Sequence, residues 1–235
     1  MNNSEEILNC QEELRNELNK KDIEAVMRGV TWQKLMQLMA DKFNTISASA
    51  KSESDVATKM DASILAFSMN VLEPTGQHGI ELDKERKVTI EKEKATEEGI
   101  IKYFARGRID SKYSSVVIEY KQPSAYKTKA DTDSAFFQAL DYLNSLYVEN
   151  EGTYLGIVTD GARCQFLLFN DRIKDLYDID KSRVSPQTSV KKLDAEMTDR
   201  LIKAIMNLRV KALNADNLEK DLIIEQKFGK NIIYH

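Results

Sequence analysis

A chain of 235 residues, 42% apolar and 31% charged, is long enough for one sizeable α/β domain with helical extensions and is ordinary for a soluble globular protein. Three prolines and nine glycines argue against long linkers, and two distant cysteines, Cys10 and Cys164, exclude a zinc ribbon or disulfide framework and suit a reducing cytoplasm. The start is polar and acidic rather than a secretory signal, no run approaches a membrane span, and a net charge of −4 gives no global sign of a nucleic-acid partner.

Residues 5–48 read as helix, with Leu8, Leu14 and Leu18 at helical spacing and then a stripe of Trp32, Leu35, Met36, Met39 and Phe43. Ser52-Glu53-Ser54-Asp55 offers an N-cap for a helix to about Ser68, with Val56, Met60, Ile64 and Leu65 on its apolar face. Pro74-Thr75-Gly76 breaks it. Ile80–Val88 is a strand interrupted by charge, and the Glu91–Glu98 run reads as a solvated excursion. Residues 101–109 and 115–121 read as strands, the second ended by Pro123, which cannot donate to a central ladder. Residues 132–148 form an amphipathic helix with Phe136, Ala139, Leu140, Leu143 and Tyr147 inward. Tyr154–Thr159 and Cys164–Phe169 are strands joined at Asp160-Gly161, a hairpin signal that accounts for Asp160 without a ligand role. Helix returns from about 190 to 222 with Leu193, Met197, Leu201, Ile205 and Leu208. The sum is a mixed sheet of about five strands flanked by helices, an α/β (α+β) layer arrangement.

The chemistry concentrates in Gly107–Lys121. If Ser114-Ser115 is a two-residue turn, Asp110 lies directly opposite Glu119. Directly paired residues hold their Cβ atoms about 4.5–5.5 Å apart, which one hard cation can bridge; without it the two anions repel. A longer turn would shift that register. Alternation puts Lys121 on the face of Glu119, while Ile118 and Tyr120 point to the core. A lysine there can orient or deprotonate the attacking water and stabilise charge on a phosphate. Oxygen donors select Mg²⁺, with Mn²⁺ as a substitute, over zinc.

An aspartate after an apolar residue, then Val116-Val117-Ile118-Glu119-Tyr120-Lys121, resembles the PD-(D/E)xK nuclease superfamily, although Ile109 stands where the superfamily's leading proline would be. The resemblance covers roughly residues 50–170 and implies a restriction-endonuclease-like core. It assigns Asp110 and Glu119 to metal and Lys121 to catalysis. Gln138-Ala139-Leu140-Asp141-Tyr142 is similar to the superfamily's Q-x-x-x-Y motif, which adds Gln138 and, in support, Tyr142 on one helical face, pointing away from Phe136 and Leu140. Many members also use a glutamate of the first core helix. Glu53 matches that placement, though a capping role explains it equally well. Gly107-Arg108-Ile109-Asp110 resembles the N-terminal nuclease segments of large restriction–modification enzymes, in which a helical connector leads to a methyltransferase or helicase; Ala212–Leu222 resembles that connector.

The implied organisation is an N-terminal helical extension (1–49), a nuclease core (50–172) and a connector (173–235) cut from a longer protein. Between Lys102 and Lys129 seven basic residues face only Asp110 and Glu119, which suits a DNA substrate held through phosphates. Arg106, Arg108, Lys127 and Lys129 are the contact candidates, with Tyr126 beside Lys127 in the loop Gln122–Ala130. His78 and His235 lack metal-spaced partners. The function expected is that of a cytoplasmic Mg²⁺-dependent endonuclease domain in restriction or phage defence. The alternatives are a weakly catalytic or non-catalytic nucleic-acid-binding module on the same fold, and a helical interaction scaffold.

Overall fold

The computed structural model describes residues 3–77, 79–96, 99–152, 154–169 and 190–210. The N-terminal helical stretch divides into α1 (Asn3–Leu18), a short α2 (Ile23–Met27) and α3 (Val30–Ser49). Asp22 starts α2 by accepting a hydrogen bond from the Ala25 backbone, which ends any continuous helix there. The buried stripe of α1 is Ile7, Cys10, Gln11 and Leu14, whereas Leu8 is 56% exposed, contrary to the expected stripe. Steps of three and four keep Ile7, Cys10 and Leu14 on one face, and a leucine one position away is rotated off it. In α3 the stripe of Trp32, Leu35, Met36, Met39 and Phe43 is buried as its spacing predicts.

Ser52 caps α4 (Glu53–Phe67), its hydroxyl accepting from the Asp55 backbone at 3.1 Å. The helix passes into one π turn (Ser68–Leu72) and a 3₁₀ turn (Glu73–Thr75). Gly76, in left-handed conformation at φ 76°, closes that end, where Pro74 had marked the break.

Six strands form one sheet in the order β1 (Asp83–Thr96), β2 (Gly99–Tyr113), β3 (Val116–Tyr120), β4 (Tyr154–Thr159), β5 (Arg163–Phe169) and β6 (Lys191–Lys192). Only β3 and β4 run parallel, because α5 (Lys129–Glu149) carries the chain between them; the other neighbours are antiparallel. The class is therefore mixed α/β. The strand beyond the expected five is the two-residue β6. The Glu91–Glu98 run, as far as it is described, is solvated but does not leave the sheet: β1 stays paired with β2 out to Thr96 opposite Gly99. Beyond the helices the ribbon leaves residues such as Lys94, Ile100 and Phe104 exposed, so charge is compatible with strand.

Two layers cover the sheet. On one face, α1, α3, α4 and α6 (Ala195–Val210) share a core with Val116, Ile118, Tyr120, Leu155 and Ile157. The helices within residues 1–49 thus belong to the layer that covers the sheet, and α3 is tied to α6 by the Trp32 indole donating to Asp199 at 2.6 Å. In α6, Met197, Leu201 and Ile205 are buried as their spacing predicts. On the other face α5 packs Ala139, Leu140 and Leu143 with Ile109, Val117 and Val158. Residues 211–222 of the expected C-terminal helix, the connector similarity at 212–222, and both histidines lie outside the described residues. Among the described residues no helix is long and apolar enough to cross a membrane.

The β1–β2 ribbon turns over once. Lys84 reaches α4, whereas Arg86, Val88 and Ile90, of the same parity, face the α5 side. In β2, Ile109 lies on the α5 side while Ser111 and Tyr113 bond to α4. Regular alternation forbids both changes. They meet where Glu85 takes a left-handed φ of 55°, opposite Asp110, with the pairing register unchanged on either side. Beyond the turnover the ribbon lies close against α5 at Gly107, where an added Cβ would sit 2.7 Å from both Ile90 Cδ1 and Tyr142 Cε1. Gly107→Ala is therefore expected to push the ribbon off α5 and cost about 1–3 kcal/mol. Thermal denaturation of the variant checks this; an unchanged Tm would show that the contact yields freely.

Candidate metal centre

β3 is buried along its whole length, so a charged residue within it must find its compensation locally. Glu119 sits in this strand with its side chain 2% exposed. Its Oε1 accepts from Lys121 Nζ at 2.7 Å, and its Oε2 is buried without a hydrogen-bond partner. Burial and the nearby Asp110 charge push the Glu119 carboxyl up to about 8, with Lys121 opposing them.

The Ser114-Ser115 turn is present. Tyr113 pairs with Val116, Lys112 with Val117 and Ser111 with Ile118, with Ser114 at φ 54°. Continued one step, that register sets Asp110 opposite Glu119, but the ladder ends at Ser111 and Ile118. The strands part there, and the Asp110 carboxylate enters the gap to accept the Tyr120 backbone N–H at 2.9 Å. Burial raises the Asp110 carboxyl to about 6, against the lowering effect of that hydrogen bond; the charge of Glu53 adds to the rise.

Glu53 is the first residue of α4 but not its cap, a place taken by Ser52, while Asp55 accepts the Lys51 backbone N–H. Its carboxylate lies 3.7 Å from Lys121 Nζ. One carboxylate oxygen each from Glu53, Asp110 and Glu119 lie within 4.8 Å of one another. Three carboxylates with an unpartnered buried oxygen among them fit a hard divalent cation, and the oxygen-only donor set fits Mg²⁺ or Mn²⁺ rather than zinc.

Lys121 closes the cluster. Burial works against its ammonium, but the charge of Glu119 and the hydrogen bond to it outweigh that cost, with Glu53 and Asp110 adding to the rise. It also donates to Gln138 Oε1 at 3.1 Å, and Gln138 Nε2 donates to the Tyr142 hydroxyl at 2.9 Å. Gln138 and Tyr142 therefore reach the site as a relay from α5. Tyr142 does not point away from the Phe136 and Leu140 stripe: it is buried in the same cluster, because the turned-over ribbon covers that flank of α5.

The basic segment is less positive in space than in sequence. Lys102 pairs with Glu91 at 2.7 Å, Arg108 with Glu85 at 3.6 Å and Lys129 with Asp133 at 3.2 Å. Pairing β1 with β2 sets the acidic residues of one strand beside the basic residues of the other. Arg106 and Lys127 are exposed. Tyr126, expected to accompany Lys127 at the surface, is fully buried: its hydroxyl donates to Gln165 at 2.9 Å and Arg163 stacks on its ring. Asp160 serves its turn, accepting from the Ala162 and Arg163 backbones. Asp61, which the sequence reading left out, is buried and collects hydroxyls from β2 and β3 behind the site. The available signal was an aspartate four residues after Ala57 and three before Ile64, on the apolar face of α4.

Comparison with family models, with curated proteins and with solved structures returns no match.

Both site carboxyls titrate above their unfolded values of about 3.9 and 4.3. Between those values and the folded ones, the folded state holds more protons than the unfolded state. The stability they contribute is full at low pH and lost as pH rises through about 6 and then about 8 in metal-free protein. Glu119→Gln removes most of that dependence. With chelator present, its Tm is expected to exceed wild type by about 2–4 °C at pH above 8, the effect of about 1 kcal/mol at this size, and by less near pH 5. Melting curves of the pair across this range test it; parallel curves would show that Glu119 carries no such burial cost.

Proposed function

We propose that this chain is a metal-dependent nuclease domain hydrolysing phosphodiester bonds in DNA. The observation that carries the reading is the buried, unpartnered Oε2 of Glu119 beside the carboxylates of Asp110 and Glu53. Asp110 and Glu119 would hold Mg²⁺ or Mn²⁺, with Glu53 in support. Such an ion supplies Lewis-acid polarisation of a phosphoryl oxygen and lowers the pKa of bound water.

The chain's own residues supply the rest. Lys121 is held beside the carboxylates by Gln138, which is itself held by Tyr142. Its Nζ donates to Glu119 and to Gln138, a placement suited to orienting the attacking water and stabilising charge on the phosphate. Arg106 and Lys127 are exposed cations available for backbone phosphates; Arg108 and Lys129 reach them only by giving up their acidic partners. A setting in restriction or phage defence, with a methyltransferase or helicase in the full-length protein, rests on the resemblance of residues 107–121 and of Ala212–Leu222 to such enzymes.

Two measurements test the reading. In calorimetry, wild type and Lys121→Ala are expected to bind Mn²⁺, and Glu119→Ala to lose it; equal binding by Glu119→Ala would remove the ligand assignment. With Mg²⁺ or Mn²⁺, wild type is expected to nick supercoiled plasmid, and Asp110→Ala or Lys121→Ala to slow nicking by about 10²-fold or more. Mn²⁺ uptake together with DNA binding but no cleavage of single- or double-stranded DNA would identify a non-catalytic binding module.

A further inference from the structure

Behind the site, on the opposite face of the sheet, α4 buries another carboxylate. Asp61 is 1% exposed. Its Oδ1 accepts from the hydroxyls of Tyr113 and Tyr120, both at 2.7 Å. Its Oδ2 accepts from Ser111 Oγ at 2.7 Å and lies 3.0 Å from Lys84 Nζ. A buried carboxylate needs such partners wherever it stands. What burial alone does not require is where these partners come from.

Ser111 directly follows Asp110, and Tyr120 lies between Glu119 and Lys121. Lys84 precedes Glu85, at which the ribbon turns over. Asp61 itself stands on α4 two turns beyond Glu53. One side chain therefore grips all three segments that carry the carboxylates of the candidate metal centre, each next to or near its acidic residue. It does so where the backbone does not: the β2–β3 ladder stops at Ser111 and Ile118, one pair short of Asp110 and Glu119. Across that gap the described links are the Asp110 bond to the Tyr120 backbone in front and the Asp61 bridge from Ser111 to Tyr120 behind.

We propose that Asp61 is a positioning residue of the metal centre: through the hydroxyls of Ser111, Tyr113 and Tyr120 it sets the spacing of Glu53, Asp110 and Glu119. The inference rests on reading those three as the cation's surroundings. Asp61 touches neither the cation nor substrate, so its effect shows as a weakened site in a folded protein.

The test is Mn²⁺ affinity of the full chain, by calorimetry well below the Tm of each variant. Asp61→Ala is expected to weaken binding about tenfold or more, the scale on which residues supporting metal ligands act. Asp61→Asn keeps an acceptor oxygen for the tyrosines and is expected to lose less. Tyr120→Phe and Ser111→Ala keep the carboxylate and cut one link each, so they decide the matter should Asp61→Ala not fold; each is expected to weaken Mn²⁺ binding by several-fold at unchanged fold. Leu14→Ala, a core deletion in α1, lowers Tm without these links and is expected to bind Mn²⁺ as wild type does. Wild-type affinity in folded Asp61→Asn, Tyr120→Phe and Ser111→Ala would overturn the positioning role and leave the metal reading standing. No Mn²⁺ uptake by wild type would overturn both.

Discussion

A carboxylate buried in a central strand has lost its water and must be compensated by what the protein brings to it, and Glu119 is compensated on one oxygen only. Much of the site follows from this imbalance. Lys121, two residues along the same strand, neutralises Oε1 and is in turn steadied by Gln138 from α5. Asp110 and Glu53 increase the negative charge around the remaining oxygen rather than relieving it. A fold that gathers three carboxylates around a desolvated oxygen is disfavoured unless protons or cations offset their charge, and Lys121 supplies one such charge.

The surrounding fold is arranged so that these groups can meet. The parallel step from β3 to β4 requires a crossover, and the crossover helix α5 lies on the face that Glu119 and Lys121 share. The β2–β3 ladder opens at the same level, and the β1–β2 ribbon turns over there through the left-handed Glu85. Left-handed backbone in a non-glycine residue costs on the order of 1–2 kcal/mol. Here it coincides with the exchange of faces that lets Ser111 reach α4 while Ile109 remains against α5. The two faces thus carry opposite solutions to buried charge: Asp61 with three hydroxyls and Lys84 directed at it, and Glu119 with one oxygen left unpartnered.

Much of this was legible in the residues. Alternation along 116–121 placed Glu119 and Lys121 together and Ile118 and Tyr120 behind them, and the Ser114-Ser115 turn set the hairpin register. The apolar stripes of α3 and α4 and the Asp160-Gly161 hairpin followed from spacing and turn chemistry. Errors arose where a local rule met a tertiary one. Leu8 belonged to a looser stripe than the one buried. The charged 91–96 run paired as strand because both its faces can remain wet. Tyr126 was expected at the surface and Tyr142 on a face turned away from Phe136 and Leu140, yet both rings fill the core beside α5.

The sequence by itself determined the mixed α/β class, the hairpin register and the pairing of Glu119 with Lys121, because each depends on periodicities or turns spanning a few residues. The tertiary structure alone decided that Glu53 stands within reach of Lys121, that Asp61 gathers hydroxyls from two strands, and that acids of β1 offset the basic residues of β2. Those contacts join residues distant in the chain. They depend on how helices dock and where the ribbon turns over, which no local pattern encodes.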